Sequence, residues 1–498
     1  MVAGPETAAT PVALIPKRRA TISAQRVAAP LLRPGTTDLG PQLLALEEGQ
    51  QYRFAFEMSA CIGCHSCEVA CAEQNNLPSD TVWRRVGEIE GGEFPNTRML
   101  HMSMACNHCL DPACLEGCPT GAYVKLDNGI VDHHADDCIG CQYCTWNCPY
   151  SVPVFQPDRR IVTKCDMCKP RLEQGFTSAC VDACPTQAIS IEPVDVAEWR
   201  LDHGSADGPH LPDSDITVST TRLVLPADIP ASTHSTGDWA LHPEHPHWPL
   251  VAVTLLTEVA IGVMAARLLT PDRGQSRTAG LIALATTLVG MNASVLHLGR
   301  PVMAIKAFRR IRQSWLSREA AAFAVLAVAT AAATGMPSAT TTSVALAVAV
   351  IAALTSARLY MVPGRPSWNT PLTMVGFVAS GMATGAASFA IVADTLSVRW
   401  LAAAGIVISS IAQIANLLRL RADERLEFRG TWRLSTDRLR LPVAARFTLA
   451  TAGLLFLAFG PAWPALTAIA FSEVLARWLF YVSVVPLSMP GAFFRGRI

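Results

Sequence analysis

All 16 cysteines of this 498-residue chain fall between Cys61 and Cys184, in four groups of four. The groups are Cys61-x2-Cys64-x2-Cys67-x3-Cys71, Cys106-x2-Cys109-x4-Cys114-x3-Cys118, Cys138-x2-Cys141-x2-Cys144-x3-Cys148 and Cys165-x2-Cys168-x11-Cys180-x3-Cys184. Short x2 turns aim successive sulfurs into one hollow, so three thiolates wrap three irons of a cubane. The fourth, after x3 and usually before proline, points away and ligates the other cluster of a pair. Sixteen ligands make four [4Fe–4S] clusters with none left over. A zinc site also uses CxxC pairs, but has no use for three cysteines in seven residues plus a departing fourth. Disulfides fit neither the clustering nor a chain without an export signal. Spacing leaves the pairing open: first group with second and third with fourth, or first with fourth and second with third.

The rest of the chain belongs to a different solvent. Half of all residues are hydrophobic and 16% are charged, which excludes disorder over most of the length. Forty basic and forty acidic residues cancel, so no global nucleic-acid signature exists. From Pro249 onward, apolar stretches of about 20 residues recur, the length a helix needs to cross a bilayer. Spans are expected near 249–269, 278–297, 318–335, 341–361, 371–392, 398–418, 443–461 and 464–486. Eight successive runs with so few interior charges argue against buried helices of a large soluble protein. The chain therefore divides into a flexible N-terminal extension (1–50), a loop-rich ferredoxin-like α+β domain with four clusters (51–195), a linker (196–247) and an all-α eight-helix membrane domain (248–490). No apolar core follows Lys17-Arg18-Arg19, and the next residues are too polar for a twin-arginine address. In the linker, Leu223-Val224-Leu225 is expected to form a short strand, and the remainder a surface-hugging connection.

The cysteine region holds no nucleophile–base pair, phosphate-cradling glycine loop or dinucleotide fingerprint. Four clusters without a substrate pocket make a wire that joins two sites, at least one of them elsewhere. Ionisable residues near or within spans are functional candidates. His297 ends the second span and Glu319 opens the third, at one membrane face. A quinol site needs such hydrogen-bonding bases beside a cluster; an ordinary interfacial His and a helix-start Glu are the bland alternative. Glu473 and Arg477, four residues apart in the last span, read as an intramembrane ion pair rather than a proton path. Glu258 lies within the first span, and Arg358 and Trp368 read as interface anchors.

Residues 52–195 resemble the four-cluster electron-transfer subunit of the DMSO reductase family through CIGCHSCEVAC, CNHCLDPACLEGCPTGA, CIGCQYCTWNCPY and KCDMC. The stretches HLGRP, AFRRIRQSWLSREA and ARLYMVPGRPSWNTP are similar to that family's membrane anchor. The resemblance implies nested pairing. One cluster would be held by Cys61, Cys64, Cys67 and Cys184, and its neighbour by Cys165, Cys168, Cys180 and Cys71. The inner two would take Cys106, Cys109, Cys114 with Cys148, and Cys138, Cys141, Cys144 with Cys118. Cys114 is present where some relatives lose a ligand, so a four-iron centre is expected there. The resemblance also implies menaquinol binding at His297 and Glu319, with Arg300 as a further candidate that a contact with the cluster domain or lipid headgroups would equally explain.

The expected protein is a fused electron-transfer and anchor subunit. It would relay electrons from menaquinol or another quinone through four [4Fe–4S] clusters to a separate molybdopterin-containing catalytic subunit that reduces a small oxide. The alternative runs the wire in reverse, from a formate- or sulfur-compound-oxidising partner to quinone. A non-redox scaffold with structural zinc is a third reading. Arg300, Lys306, Arg309, Arg310, Arg312, Arg365, Arg421, Arg425, Arg429, Arg433, Arg438 and Arg440 fall on the cluster side, against Arg273, Arg277 and Arg399 opposite. By the positive-inside rule, the cluster domain and both termini are cytoplasmic at the inner membrane. Docking of the cluster domain is the competing explanation for those arginines. DMSO reductases typically export their catalytic side, so neither compartment nor substrate is carried over.

Overall fold

The computed structural model describes residues 45–487 except 80, 231, 236–240 and 271–273, and except the side chains of 235, 274 and 275. The N-terminal extension up to residue 44, with Arg18 and Arg19, lies outside the described residues, as does Arg273.

The cysteine half is built from short strands linked by motif-bearing turns. Strand β1 (Gln50–Glu57) does not alternate: Gln51 is buried, and so are the consecutive Phe54, Ala55 and Phe56, which are covered on both faces. The hairpin β2 (Arg85–Gly91) and β3 (Arg98–Met104) pairs antiparallel, Ile89 opposite Leu100. Two small hairpins follow, β4 (Tyr123–Lys125) with β5 (Val131–His133), and β6 (Val154–Gln156) with β7 (Ile161–Thr163). Strand β8 (Ile189–Asp195) runs antiparallel to β1, Phe54 opposite Ile191. From the linker, β9 (Arg222–Val224) pairs parallel to β1 and β10 (Thr233–Ser235) antiparallel to β2. The expected short strand therefore exists one residue earlier. The linker is not merely a surface connection: Ser219, Thr220 and Thr221 are buried, and Trp199 packs with Leu110 and Val218.

Among the described residues the membrane half contains eight helices long and apolar enough to cross a bilayer: Trp248–Leu268, Gly274–Leu296, Trp315–Gly335, Ala339–Tyr360, Pro371–Ala390, Leu396–Ala422, Arg440–Phe459 and Ala462–Val482. Each starts or ends within about four residues of its expected span. The first helix is the most buried and neighbours the second, fourth, fifth and eighth. Its approach to the fifth is backbone to backbone. A Cβ on Gly385 would lie 2.1 Å from the Val259 carbonyl oxygen, and one on Gly262 would lie 2.4 Å from the Ala386 nitrogen. Small residues permit such contact where apolar burial gives no drive between helices.

The last span departs from expectation. Arg477 pairs with Glu258 of the first helix at 2.8 Å, and Glu473 with Arg446 of the seventh at 3.0 Å. Glu473 and Arg477 share a helix face, but each side chain finds its counter-charge on a neighbouring helix. Trp368 is buried rather than an interface anchor, stacked 4.9 Å from Phe480 with its indole N–H donating to the Phe480 carbonyl. Arg358 lies over the Trp315 ring.

Candidate functional site

Each of the four cysteine groups opens with the same turn. The backbone N–H two residues after the first cysteine points at its sulfur: Gly63 to Cys61, His108 to Cys106, Gly140 to Cys138 and Met167 to Cys165. That residue has positive φ in all four, +67° at Gly63 and Gly140, +47° at His108 and +59° at Met167. Holding His and Met there costs about 1–2 kcal/mol each, which a turn built to aim a sulfur explains. No disulfide joins any of the 16 cysteines. Their electrostatic neighbours cross between groups: Cys61 with Cys184, Cys71 with Cys168 and Cys180, Cys114 with Cys148, and Cys118 with Cys138, Cys141 and Cys144. Burial pushes the Cys71, Cys109 and Cys141 thiols up to about 12. Such thiols become ligands only when a metal replaces the proton.

The surroundings fit an anionic cofactor. Arg84 is 2% exposed and Lys164 3%, yet among the described residues neither forms a salt bridge to a carboxylate. Arg84 lies over the Phe54 ring, donates to Ser103 and acts on Cys67, Cys71, Cys165 and Cys180. Lys164 donates to the Val131 and Cys165 carbonyls, and Lys125 to those of His108 and Cys109. Buried cations need counter-charge, and thiolate-bound clusters supply it. Sequence reasoning missed all three; Lys164, directly before Cys165, is the one it had grounds to notice. From the linker, Thr217 Oγ1 reaches Cys109 Sγ at 3.2 Å. Among the described residues no three His, Cys, Asp or Glu side chains converge on a point able to hold a single metal ion. A tetrahedral zinc site would bring its sulfurs within about 4 Å of one another.

One motif meets the membrane half directly. Trp146 sits between Cys144 and Cys148, and its ring lies 5.3 Å from His247, 5.4 Å from Trp368, 5.9 Å from Tyr360 and 6.5 Å from His297. Tyr143 donates to the Leu359 carbonyl at 2.9 Å. A Cβ on Gly364 would stand 2.4 Å from the Trp146 carbonyl, and one on Gly299 2.2 Å from that of Arg160. The loop after the second helix is pinned by Arg300, whose backbone N–H and Nη1 donate to Ile139 and Ala135. Lys306 and Arg309 reach Asp137, and Arg310 reaches the Leu115 carbonyl.

His297 hydrogen-bonds the Cys141 backbone through one ring nitrogen while its Nε2 is buried without a partner. Burial pushes it down to about 4, and His247, 5.3 Å away, down to about 3, so both rings are neutral at pH 7. Glu319 faces Ser356 and acts on Tyr143, Tyr360 and Tyr481. Trp146 thus touches both His297 and Tyr360, and Tyr360 lies in the field of Glu319. His247 carries no sequence signal; its place comes from a left-handed turn (φ +46°) at the entry to the first helix.

A cysteine-rich cluster domain whose motif packs into an eight-helix bundle defines a membrane-anchored electron-transfer subunit. Residues 97–193 match the 4Fe-4S dicluster domain family, and residues 241–426 match the DMSO reductase anchor subunit (DmsC) family. An anaerobic dimethyl sulfoxide reductase chain of Haemophilus influenzae is 40% identical over 178 residues, 34% of this chain and 86% of that one. Its counterpart from Escherichia coli is 39% identical over 162 residues, 31% and 78%. A sulfite dehydrogenase subunit of Allochromatium vinosum is 36% identical over 160 residues, 28% and 67%. This protein belongs to the DMSO reductase family, as its iron–sulfur subunit fused to its membrane-anchor subunit.

Proposed function

We propose that this subunit takes electrons from menaquinol, or another membrane quinol, at the seam around His297 and Glu319. Four [4Fe–4S] clusters would carry them to a separate molybdopterin-containing catalytic subunit. The observation that carries the reading is Trp146, which abuts His297 and Tyr360 while lying between Cys144 and Cys148, ligands of two neighbouring clusters in the nested pairing. The nested ligand sets are proposed: Cys61, Cys64, Cys67 with Cys184; Cys71 with Cys165, Cys168, Cys180; Cys106, Cys109, Cys114 with Cys148; Cys118 with Cys138, Cys141, Cys144. The cross-group electrostatic neighbours support this pairing over the sequential one. Each cluster, when bound, takes up and passes on one electron. The chain's own residues hold the quinol. His297, fixed on the Cys141 carbonyl, turns Nε2 towards a hydroxyl and accepts its proton, and Glu319 is the second base. Arg300 acts by docking the loop that carries His297.

Arg300, Lys306, Arg309 and Arg310 are committed to the cluster domain and say nothing about sidedness. Arg421, Arg425, Arg429, Arg433, Arg438 and Arg440 remain exposed at the same end, and they support a cytoplasmic cluster domain at the inner membrane. The reverse direction, from a sulfur-compound-oxidising partner to quinone, is favoured by the likeness to a sulfite dehydrogenase subunit. One experiment separates the directions: purify the chain with its bound partner and measure which of quinol oxidation and quinone reduction proceeds with the partner's substrate. Failure of both sinks the quinone reading.

A further inference from the structure

A cavity of about 120 Å³ opens between the fifth, sixth and eighth helices. Its deep wall carries Ser380, Gln413, Glu473 and Arg477, and its mouth Ser367 and Ser435. Ser367 Oγ, Ser380 Oγ, Gln413 Oε1 and Arg477 Nη1 are buried with no hydrogen-bond partner among the described residues. Unpartnered polar atoms around such a space call for water, and at about 30 Å³ per water the cavity takes about four. The mouth lies in the loop after the fourth helix and the segment after the sixth, at the end where Gly364 meets the Trp146 backbone. Glu473 lies nine residues before Val482, the last residue of the eighth helix, so about 14 Å beneath that end.

The floor connects sideways to the seam. Arg477 donates to Glu258 at 2.8 Å, and Glu473 holds Ser409 and Arg446. Glu319 acts electrostatically on Glu258, and on Tyr360 and Tyr481, whose hydroxyls face one another beside Arg477. Glu258, Glu319 and Glu473 are the carboxylates of the eight helices. All three lie at mid-depth or nearer the cluster domain, so the remote half of the helices themselves carries no carboxylate; Asp394, in the loop at that end, is paired with Arg399.

We infer that this cavity is a hydrated exit through which protons released at the seam leave on the cluster-domain side. The inference rests on the quinone reading above. Oxidation of one quinol to quinone releases two electrons, which leave by the cluster domain, and two protons, which leave through Glu319, the Tyr360–Tyr481 pair, the Glu258–Arg477 pair and the cavity water. Both charges depart to one side, so turnover moves no net charge across the membrane.

The test uses the full chain in proteoliposomes with the cluster domain outward, a quinol in the bilayer and ferricyanide outside. Two ferricyanides are reduced per quinol oxidised. The expected result is two protons per quinol appearing outside without delay, insensitive to an uncoupler, with no voltage-dye response. Acid appearing inside together with a membrane potential overturns the inference. Glu473→Gln strips Arg446 of its counter-charge and risks the fold, so Gly376→Leu is the sharper variant. Gly376 lines the cavity, and a Cβ there meets nothing within 4 Å. Plugging it lowers quinol turnover roughly tenfold or more with KM and iron content unchanged. Unchanged turnover overturns the exit. A raised KM with kcat unchanged makes the cavity a quinone seat instead. If the wild-type chain oxidises no quinol at all, the quinone reading falls and takes the exit with it.

Discussion

Removing one member of the Glu258–Arg477 pair should unfold the bundle far more easily than removing both. The pair spans 2.8 Å with side chains 1% and 4% exposed. At an effective dielectric of 20 the attraction is about 6 kcal/mol, set against a desolvation cost of several kcal/mol per ion. The net value of the intact pair is therefore small, but an orphaned charge keeps its full desolvation cost. Arg477→Met and Glu258→Gln are each expected to destabilise by about 3–5 kcal/mol, and the double variant by about 1–2 kcal/mol. The coupling between the two sites then comes out near 5–8 kcal/mol. Arg477 also lies 3.5 Å over the Phe377 ring, so Arg477→Met sits at the upper end of the range. Equilibrium unfolding in mixed micelles, followed by tryptophan fluorescence, measures all four proteins. Additive single effects, with coupling below about 1 kcal/mol, would refute a buried pair that holds the first and eighth helices together.

Three further outcomes are expected. His297→Ala should lower quinol-driven reduction of the clusters by about 100-fold or more while dithionite reduction and iron content stay unchanged; equal loss of both would mean a structural role. Gly299→Ala forces the His297 loop off Arg160, where the new Cβ falls 2.2 Å from a carbonyl oxygen. It should separate quinol-driven from dithionite-driven reduction in the same way and leave the thermal stability of the isolated bundle within about 1 kcal/mol. The seam should also loosen in acid. Burial, and then His297, His245 and Arg365, hold His247 down at about 3 against 6.5 unfolded. A depressed histidine gives stability that is present above pH 6.5 and declines as pH falls towards 3, by up to about 1.4 kcal/mol per unit. Unfolding midpoints between pH 8 and 4 should fall in the wild type and fall less steeply in His247→Gln, where His297 alone of the two still contributes.

What the sequence reveals is local. Cysteine spacing fixes a cradle because three sulfurs within one turn need no distant partner, and the repeated positive-φ turn at Gly63, His108, Gly140 and Met167 is the form that spacing takes. The eight spans are legible because bilayer thickness sets helix length whatever the packing. What it hides is decided between elements. Glu473 and Arg477 look like partners at i and i+4, yet neighbouring helices supply Arg446 and Glu258 at 2.8–3.0 Å. The basic run after the second helix reads as a topology signal, but Arg300, Lys306, Arg309 and Arg310 are occupied by the cluster domain. Thr217 and Trp199 make the linker part of the cluster domain's core, a role carried by no motif. His247 and Trp146 become site residues only because a domain seam brings them beside His297.

The central claim is a four-cluster wire that ends at a quinol site. Iron and acid-labile sulfide per chain, with EPR, on solubilised protein purified under argon with its partner retained, tests it most directly. About sixteen of each per chain, with signals that appear on adding quinol, is the predicted result. Stoichiometric zinc with little iron, or full iron content that only dithionite reduces, would contradict it.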